Sequence, residues 1–227
     1  MANAAAPSPP ARHVAVAGAS GLVGRCLVAR LCADPSVAQV HALVRRALPL
    51  THAKLRTHGV DFAALPALPA IDEVYLALGT TIKVAGSQAA FRAVDFDANL
   101  AVAQAARAAG ARRCGLVSAL GASARSAVFY SRVKGELEDA LAALPFEALV
   151  IARPAMLRGD RQALGQPVRS GEVLWGGFDD ALRLFIPRGL RAIAADDVAA
   201  ALVRAVPAAR GREVLDSSAM QGAAAIS

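Results

Sequence analysis

The chain has 227 residues, of which 56% are hydrophobic and only 4% aromatic, so it can bury one sizeable core of alanine, valine and leucine but is marginal for two domains. Its formal net charge of +7 comes almost entirely from scattered arginines, with no basic run longer than a pair, which argues against a nucleic-acid-binding face. No apolar run is long and uncharged enough to span a bilayer, so no membrane span is predicted.

The amino-terminal segment and the cysteines bear on the compartment of the protein. Residues 1–12 lack a basic region followed by an apolar run, so we expect a flexible leader rather than a signal peptide, and a single domain over residues 13–227. The three cysteines are odd in number, and none belongs to a C-x-x-C pair. Reduced thiols are the simplest interpretation, and they favour a cytoplasmic protein.

A short apolar strand that begins at Val14 runs into a glycine-rich turn, which opens a helix predicted to end near Cys32. Gly18 suits the tight turn, Gly21 has no side chain to keep a ligand off the backbone, and Gly24 lets the helix lie close to the strand. The N–H groups and dipole of the helix start favour an anion, such as the pyrophosphate of a dinucleotide. The spacing is GxxGxxG rather than GxGxxG, so a glycine turn without a ligand remains the alternative.

The second apolar strand, residues 37–44, ends at Arg45 and Arg46. In NAD-binding sheets, an acidic residue about 20 positions after the glycine turn accepts the ribose 2′-OH. An arginine in that place would instead bind a 2′-phosphate with two hydrogen bonds. The sequence therefore favours NADP(H) over NAD(H), with a pair of surface arginines at a strand end as the alternative.

Apolar strands and helices then alternate along the chain. Further strands are predicted over residues 55–60, 71–78, 113–117, 146–152 and 213–215, and helices over residues 87–110, 126–144 and 197–206. This alternation predicts an α/β fold with a doubly wound parallel sheet. We expect residues 155–190, which include an irregular run rich in glycine, proline and arginine, to form a small substrate-binding or lid region, and residues 221–227 to be a frayed tail.

Three side chains near the fifth strand suit redox chemistry. Ser118 ends that strand, and Tyr130 and Lys134 are four residues apart on the next helix, so they share a face. A phenol ionises too weakly to act as a base at neutral pH, but a nearby ammonium and a cationic nicotinamide favour the phenolate. Ser118 would hydrogen-bond the substrate oxygen while a hydride moves to or from carbon. A surface tyrosine–lysine pair is the alternative, although the chain has only three lysines and two tyrosines.

The glycine spacing, Ser118 and Tyr130-x-x-x-Lys134 resemble the short-chain dehydrogenase/reductase superfamily. The likeness is closer to its atypical group around the Tat-interacting protein oxidoreductase, and it covers most of the chain from Val14 to about Gly171. The segments that carry it are Leu78-Gly79-Thr80-Thr81, Phe91-Arg92-x-Val94-Asp95, Leu116-Val117-Ser118, Phe129-Tyr130, Val133-Lys134-Gly135-Glu136, Arg153-Pro154 and Asp160-Arg161-Gln162.

The resemblance implies a Rossmann fold and a role for each matching residue. Tyr130 would be the general acid/base, Lys134 would hold the nicotinamide ribose, and Ser118 would bind the substrate carbonyl. The implied cofactor cradle consists of Gly18, Ser20, Gly21, Leu22 and Gly24 around the pyrophosphate, Arg45 and Arg46 at the 2′-phosphate, Asp61 and Phe62 near adenine, Leu78, Gly79 and Thr80 under the riboses, and Pro154 and Met156 at the carboxamide. No role transfers to Lys83, which lies one place early, and we expect Asn99 to be a helix-surface or packing amide.

The function predicted from these residues is an NADPH-dependent oxidoreductase acting on a small carbonyl or alcohol, as a monomer or homodimer. One alternative is an NADP(H)-binding regulator that reports the NADPH level to a protein partner. Another is a nucleotide-sugar epimerase or dehydratase, against which the short carboxy-terminal region argues. No nucleic-acid partner and no metal site are predicted.

Overall fold

A seven-stranded parallel sheet organises the computed structural model, which describes residues 11–158 and 191–226. The strands are β1 (Arg12–Ala17), β2 (Val37–Val44), β3 (Leu55–Gly59), β4 (Glu73–Leu76), β5 (Arg113–Val117), β6 (Ala148–Arg153), β7 (Leu157–Arg158), β8 (Ile193–Ala194) and β9 (Gly211–Asp216). The order across the sheet is β3-β2-β1-β4-β5-β6-β9, while β7 and β8 form a separate parallel pair. The chain therefore reverses its direction of sheet growth between β1 and β4, where ligands bind in sheets of this kind.

Helices cover both faces of the sheet. They are α1 (Leu22–Ala33), α2 (Ile82–Ala85), α3 (Gln88–Arg92), α4 (Asn99–Ala108), α5 (Phe129–Ala142), α6 (Ala195–Ala208) and α7 (Ser217–Met220). A π-helical turn, Ala93–Ala98, joins α3 to α4, and a 3-10 helix, Ala223–Ile226, follows α7. Within the described residues, no helix combines the length and apolar character needed to cross a membrane.

Strand β1 shows how the core is divided between the two faces. Val14 and Val16 pack with α1 and α6, whereas Ala15 and Ala17 face the layer that contains α4 and α5. All four side chains are at most 1% exposed. A strand that is covered on both faces has apolar side chains at successive positions. Its sequence is therefore a continuous apolar run, with no alternation of polar and apolar residues. The doubly wound α/β fold is thus confirmed.

Two predicted elements differ from those observed. The single helix predicted over residues 87–110 is interrupted by the π-turn, because one extra residue is accommodated between α3 and α4. The frayed tail predicted over residues 221–227 is wrong for the described part, since Ala223 is buried and the Ala224 N–H donates to Asp197 Oδ1 at 3.0 Å. Most of the predicted lid, residues 159–190, lies outside the described residues.

Three histidines lie on neighbouring strands at one edge of the sheet. Nδ1 of His41 and Nε2 of His58 are 2.9 Å apart, and the ring of His13 stacks on His41 with centroids 6.3 Å apart. Burial, followed by the proximity of His58, His13 and Arg56, lowers the pKa of His41 from 6.5 to about 4. Among the described residues, no group of three or more histidine, cysteine or acidic side chains is arranged to hold a metal ion.

We expect His41 to make the protein less stable in acid. Because its pKa is about 4 in the folded protein, the unfolded chain binds a proton between about pH 6.5 and pH 4 that the folded chain does not. Stability therefore falls as the pH is lowered through this window, by up to about 3 kcal/mol. Urea unfolding of the parent protein and of His41→Gln across the window measures this contribution. His52→Gln, at an exposed position, is the control, and an equal pH dependence in all three proteins would contradict the assignment.

Candidate functional site

The glycine turn at the carboxyl end of β1 is fixed by close backbone packing. Gly18 has φ +85°, and its carbonyl accepts the Gly21 N–H at 2.9 Å. A Cβ on Gly18 would lie 2.4 Å from Ala77 O, and one on Gly24 would lie 2.0 Å from Gly18 O. Larger residues at Gly18 and Gly24 would therefore push β4 and α1 away from the turn. Close packing against backbone atoms therefore explains why Gly18 and Gly24 are glycines.

The remaining residues predicted around the pyrophosphate lie where the turn enters α1. Ser20 is exposed in the turn, and Leu22 is the first residue of the helix and packs partly against the core. A Cβ on Gly21 would lie 3.3 Å from Gly18 O, so Gly21 is less constrained than its two neighbours in the motif. Gly21 is instead the N-cap of α1, at the positive end of the helix dipole.

Arg45 and Arg46 follow β2 at the same edge of the sheet as the glycine turn. Strands β1 and β2 are parallel and adjacent, with Ala17 level with Leu43, so both strands end beside each other. Both arginines are exposed. The structure therefore places this basic pair at the same sheet edge as the turn, with both side chains exposed.

Asp61 and Phe62 continue the line of strand ends beyond β2. The Val60 N–H donates to Val44 O at 2.9 Å, which extends the β2–β3 pairing to the residue before Asp61. Asp61 is exposed, and Phe62 is half-buried against the core layer of α4 and α5. These two residues lie one strand further from the turn than Arg45.

The segment from Leu78 to Thr80 leaves β4 beside the glycine turn and is held by two buried side chains of the helical layer. The Thr80 N–H donates to Asp95 Oδ2 at 2.8 Å, and Asn99 Nδ2 donates to Leu78 O at 3.2 Å. Asp95 and Asn99 are each 1% exposed. Sequence reasoning gave Asp95 no role and left Asn99 as a surface or packing amide. The structure makes Asn99 a buried packing amide.

The π-turn creates this arrangement. Asn99 Nδ2 also donates to Val94 O at 3.3 Å and to Asp95 O at 3.2 Å, two carbonyls of the π-turn. The sequence shows Asp95 and Asn99 as polar residues in an alanine-rich helix, but it does not show that they are buried. The residue pattern over 87–110 is that of a single helix, so it gave no indication of a π-turn.

Lys134 is buried against the same segment. Its side chain is 5% exposed, and Nζ lies 2.7 Å from Asp95 Oδ1. A Cβ on Gly79 would lie 3.9 Å from Lys134 Nζ, so the ammonium sits directly beside the loop that leaves β4. The structure thus brings Lys134 and Gly79, two of the predicted cofactor-binding residues, into one place.

Tyr130 lies in the first turn of α5 on the face that carries Lys134. Its ring is half-buried and lies 5.5 Å from that of Phe91, which also contacts Phe129 at 5.9 Å. Helix α5 is held close to the loop after β5, since a Cβ on Gly135 would lie 2.1 Å from the carbonyl carbon of Ser123. The helix that carries Tyr130 is therefore packed closely against the loop after β5.

Ser118 has a partner that the sequence did not indicate. Its Oγ donates to Glu138 Oε1 at 2.5 Å, and Glu138 is 1% exposed. Glu138 also accepts from Arg153 Nε at 3.0 Å and from Arg212 at 3.3 Å. The hydrogen bond that Arg153 donates to Glu138 raises the pKa of the Arg153 guanidinium. The proton that Ser118 would offer a substrate oxygen is thus directed towards a buried carboxylate.

Pro154 and Met156 lie in the connection that follows β6. Pro154 O accepts the Leu120 N–H at 2.9 Å, and Met156 O accepts the Ile193 N–H at 2.8 Å. The first bond joins the loops after β5 and β6, and the second joins the β7–β8 pair. Of the backbone groups predicted to frame the carboxamide, the carbonyls of Pro154 and Met156 therefore each already accept one hydrogen bond from the protein.

The fold and the turn define the chain as a Rossmann-type α/β protein, and solved structures agree. MoeE5 in complex with UDP-glucuronic acid and NAD has a TM-score of 0.67 at 22% identity, covering 89% of this chain and 75% of that one. An oxidoreductase of the short-chain dehydrogenase/reductase family from Burkholderia thailandensis has a TM-score of 0.66 at 18% identity, covering 94% of both chains. At these identities the likeness shows the fold alone.

The particular family is given by more similar sequences. The chain is 39% identical over 150 residues to the protein FMP52, mitochondrial, of Eremothecium gossypii, covering 65% of this chain and 67% of that protein. It is 36% identical over 176 residues to fmp52-1, mitochondrial, of Aspergillus terreus, covering 73% and 75%. The chain belongs to the FMP52 family. No family model matches it.

These relatives correct the predicted location and specify the family. The cytoplasmic location predicted from the cysteines and the leader is wrong, because the relatives are named as mitochondrial proteins. Unpaired cysteines indicate a reducing environment but do not distinguish one reducing compartment from another. The relatives are named FMP52 and not Tat-interacting protein, so the family that is shown is FMP52.

Proposed function

We propose that this chain is an NADPH-dependent oxidoreductase acting on a small carbonyl or alcohol. The observation that carries the proposal is the position of Lys134, whose ammonium is buried beside Gly79 on the helix face that also bears Tyr130. Gly79 lies at the sheet edge that carries the glycine turn, so a dinucleotide seated on the turn would run past Lys134. Gly21, the N-cap of α1, supports a ligand whose phosphates approach the backbone closely at the helix start.

Each residue of the site has a proposed step. A bound nicotinamide cofactor supplies or accepts the hydride. Tyr130 gives a proton to the substrate oxygen, or takes one from it, while Lys134 orients the cofactor ribose through its ammonium. Ser118 would help to bind the carbonyl only if its hydroxyl turned away from Glu138. The domain limits, 13–227 with a substrate region over 155–190, remain part of this proposal.

The test of this function is turnover with defined substrates. The purified protein is mixed with NADPH or NADH and a panel of small aldehydes and ketones, and cofactor oxidation is followed by absorbance. Faster consumption of NADPH than NADH with at least one carbonyl is expected. Absence of turnover across the panel, together with measurable NADPH binding, would count against an oxidoreductase.

A second candidate is a regulator that binds NADP(H) without turning it over. The observation that favours it is the bond from Ser118 Oγ to Glu138, which occupies the donor that a substrate carbonyl would need. Capture of a partner protein that depends on NADPH, with no carbonyl turnover, would support this candidate over the enzyme.

Arg45 carries the proposed preference for NADPH. Replacing Arg45 with alanine removes a guanidinium next to the glycine turn, and we expect NADPH affinity to fall by about 10- to 100-fold with little change for NADH. Titration calorimetry with both cofactors measures the ratio. Arg204→Ala, at an exposed position on α6, is the control and should leave both affinities unchanged. Equal NADPH and NADH affinities in the parent protein would remove the NADP assignment.

A further inference from the structure

Ser118 is tied to the interior by both its backbone and its side chain. Its N–H donates to Ala152 O at 2.8 Å, and its Oγ donates to Glu138 Oε1 at 2.5 Å. Arg153 and Arg212 pair with the same carboxylate, so the partner of the Ser118 hydroxyl is a buried, fixed charge. Only 5% of Ser118 is exposed. The β5–α5 connection, residues 118–128, therefore starts with a serine whose hydroxyl is already engaged by the protein.

Leu120 lies at the tip of a tight turn in this connection. The Ala122 N–H donates to Ala119 O at 3.2 Å, and Gly121 has φ +74°. A glycine with positive φ in the third place is characteristic of a type II turn, in which Leu120 holds the second place. Leu120 is 42% exposed, although its own N–H donates to Pro154 O at 2.9 Å. Its apolar side chain is therefore presented to solvent by backbone that is held in place.

Leu120 and Val128 flank the groups proposed for the reaction. The hydrogen bond to Pro154 sets Leu120 beside the segment proposed to frame the carboxamide of the nicotinamide. Val128, which is 62% exposed, is the N-cap of α5 and precedes Tyr130 by two residues. A substrate that receives a hydride from the nicotinamide and a proton from Tyr130 must approach both places. It therefore approaches two exposed apolar side chains as well.

The connection is anchored to α5, so the backbone that carries these side chains is fixed. The Ser123 N–H donates to Ser131 O at 3.0 Å, and a Cβ on Gly135 would lie 2.1 Å from the carbonyl carbon of Ser123. Contact with an apolar group of a ligand would remove the surface of the Leu120 side chain from water. Such contact is favourable in proportion to the area that it covers.

We propose that Leu120 determines substrate specificity by contacting an alkyl or aryl group next to the substrate carbonyl. The inference rests on the proposed function and names its substrate class, which is aldehydes and ketones with an apolar body. Tyr130 contacts the carbonyl oxygen, while Leu120 and Val128 contact the carbon chain that leads away from it. A polar carbonyl compound without such a chain gains nothing from either side chain, so it is a poorer substrate.

A homologous series of aldehydes measures this contact. With NADPH and straight-chain aldehydes from propanal to octanal, we expect kcat/KM to rise about 2- to 4-fold for each added methylene, the effect of burying one such group. Leu120→Ser keeps the backbone bond to Pro154 and should remove most of this rise. Val214→Ser is the matched control, because Val214 is similarly exposed, at 44%, but lies on β9 outside the connection. It should keep the parental dependence on chain length.

A binding measurement tests the same contact without turnover. Straight-chain alcohols from butan-1-ol to octan-1-ol are titrated calorimetrically into the protein with NADPH present, since a reduced cofactor cannot accept a hydride from them. We expect affinity to rise with chain length in the parent protein and in Val214→Ser, and to rise much less in Leu120→Ser. A flat series in the parent protein, or an equal rise in Leu120→Ser, would overturn the inference; loss of a dimer in Leu120→Ser would then assign this side chain to contacts with a second copy of the chain.

The two measurements fail independently. Alcohol binding that depends on chain length, without aldehyde turnover, removes the proposed function and keeps the apolar contact at Leu120. Aldehyde turnover that is independent of chain length keeps the function and removes the role of Leu120.

Discussion

Replacing Tyr130 with phenylalanine is expected to lower kcat for carbonyl reduction by about 10²- to 10⁴-fold, the contribution typical of a general acid. The substitution removes only the hydroxyl, so the ring keeps its contact with Phe91 and α5 keeps its packing. NADPH affinity should stay close to that of the parent protein, because Lys134 and the glycine turn are untouched. Steady-state kinetics together with NADPH titration separate the two effects.

The other tyrosine provides the matched control. The Tyr75 hydroxyl donates to Glu73 Oε2 at 2.9 Å in the fully buried core. Tyr75→Phe should therefore lower the free energy of unfolding by about 1–2 kcal/mol while leaving kcat unchanged. If Tyr130→Phe retained parental kcat, or if Tyr75→Phe lost as much, Tyr130 would not be the proton-transfer group.

Replacing Gly24 with alanine is expected to abolish detectable dinucleotide binding and to destabilise the fold by about 3 kcal/mol, the upper range for overpacking. The new methyl group would lie 2.0 Å from Gly18 O, and a backbone carbonyl cannot rotate away as a flexible side chain can. Helix α1 must therefore move off the turn, which takes its N-terminus away from the phosphates. Thermal unfolding and NADPH titration measure the two losses.

Gly59→Ala is the control for this substitution. Gly59 ends β3, and a Cβ there would meet no atom within 4 Å. The variant should match the parent in stability and in NADPH affinity. Parental binding by a stable Gly24→Ala protein would show that the close approach of α1 to the turn is not needed to bind the cofactor.

Much of the fold could be predicted because its strands are buried on both faces. Strands β2 and β5 begin and end where the apolar runs predict, at Val37–Val44 and Arg113–Val117. Strand β4 is shorter than predicted, since only Glu73–Leu76 are paired while the apolar run extends to Leu78. An apolar run indicates which residues are buried. Which of them pair within the sheet depends on the adjacent strands, and the sequence of β4 alone does not show those.

The site was less predictable where it depends on contacts between distant residues. The spacing of Tyr130 and Lys134 is local, so the helix period alone puts them on one face. The pairing of Lys134 with Asp95 spans 39 positions, and that of Ser118 with Glu138 spans 20. Neither partner is marked by a local pattern, because a single acidic residue in a helix is ordinarily a solvated surface group.

The extra residue in the π-turn makes the site depend on the number of residues between α3 and α4. A regular α-helix turns by about 100° and rises about 1.5 Å for each residue. Deleting one residue from Ala93–Ala98 would therefore leave every side chain chemically intact yet rotate α3 relative to α4. Phe91 and Arg92 would lose their helical phase with α5, although neither had been substituted. The site therefore depends on the number of residues in this turn as well as on their identities.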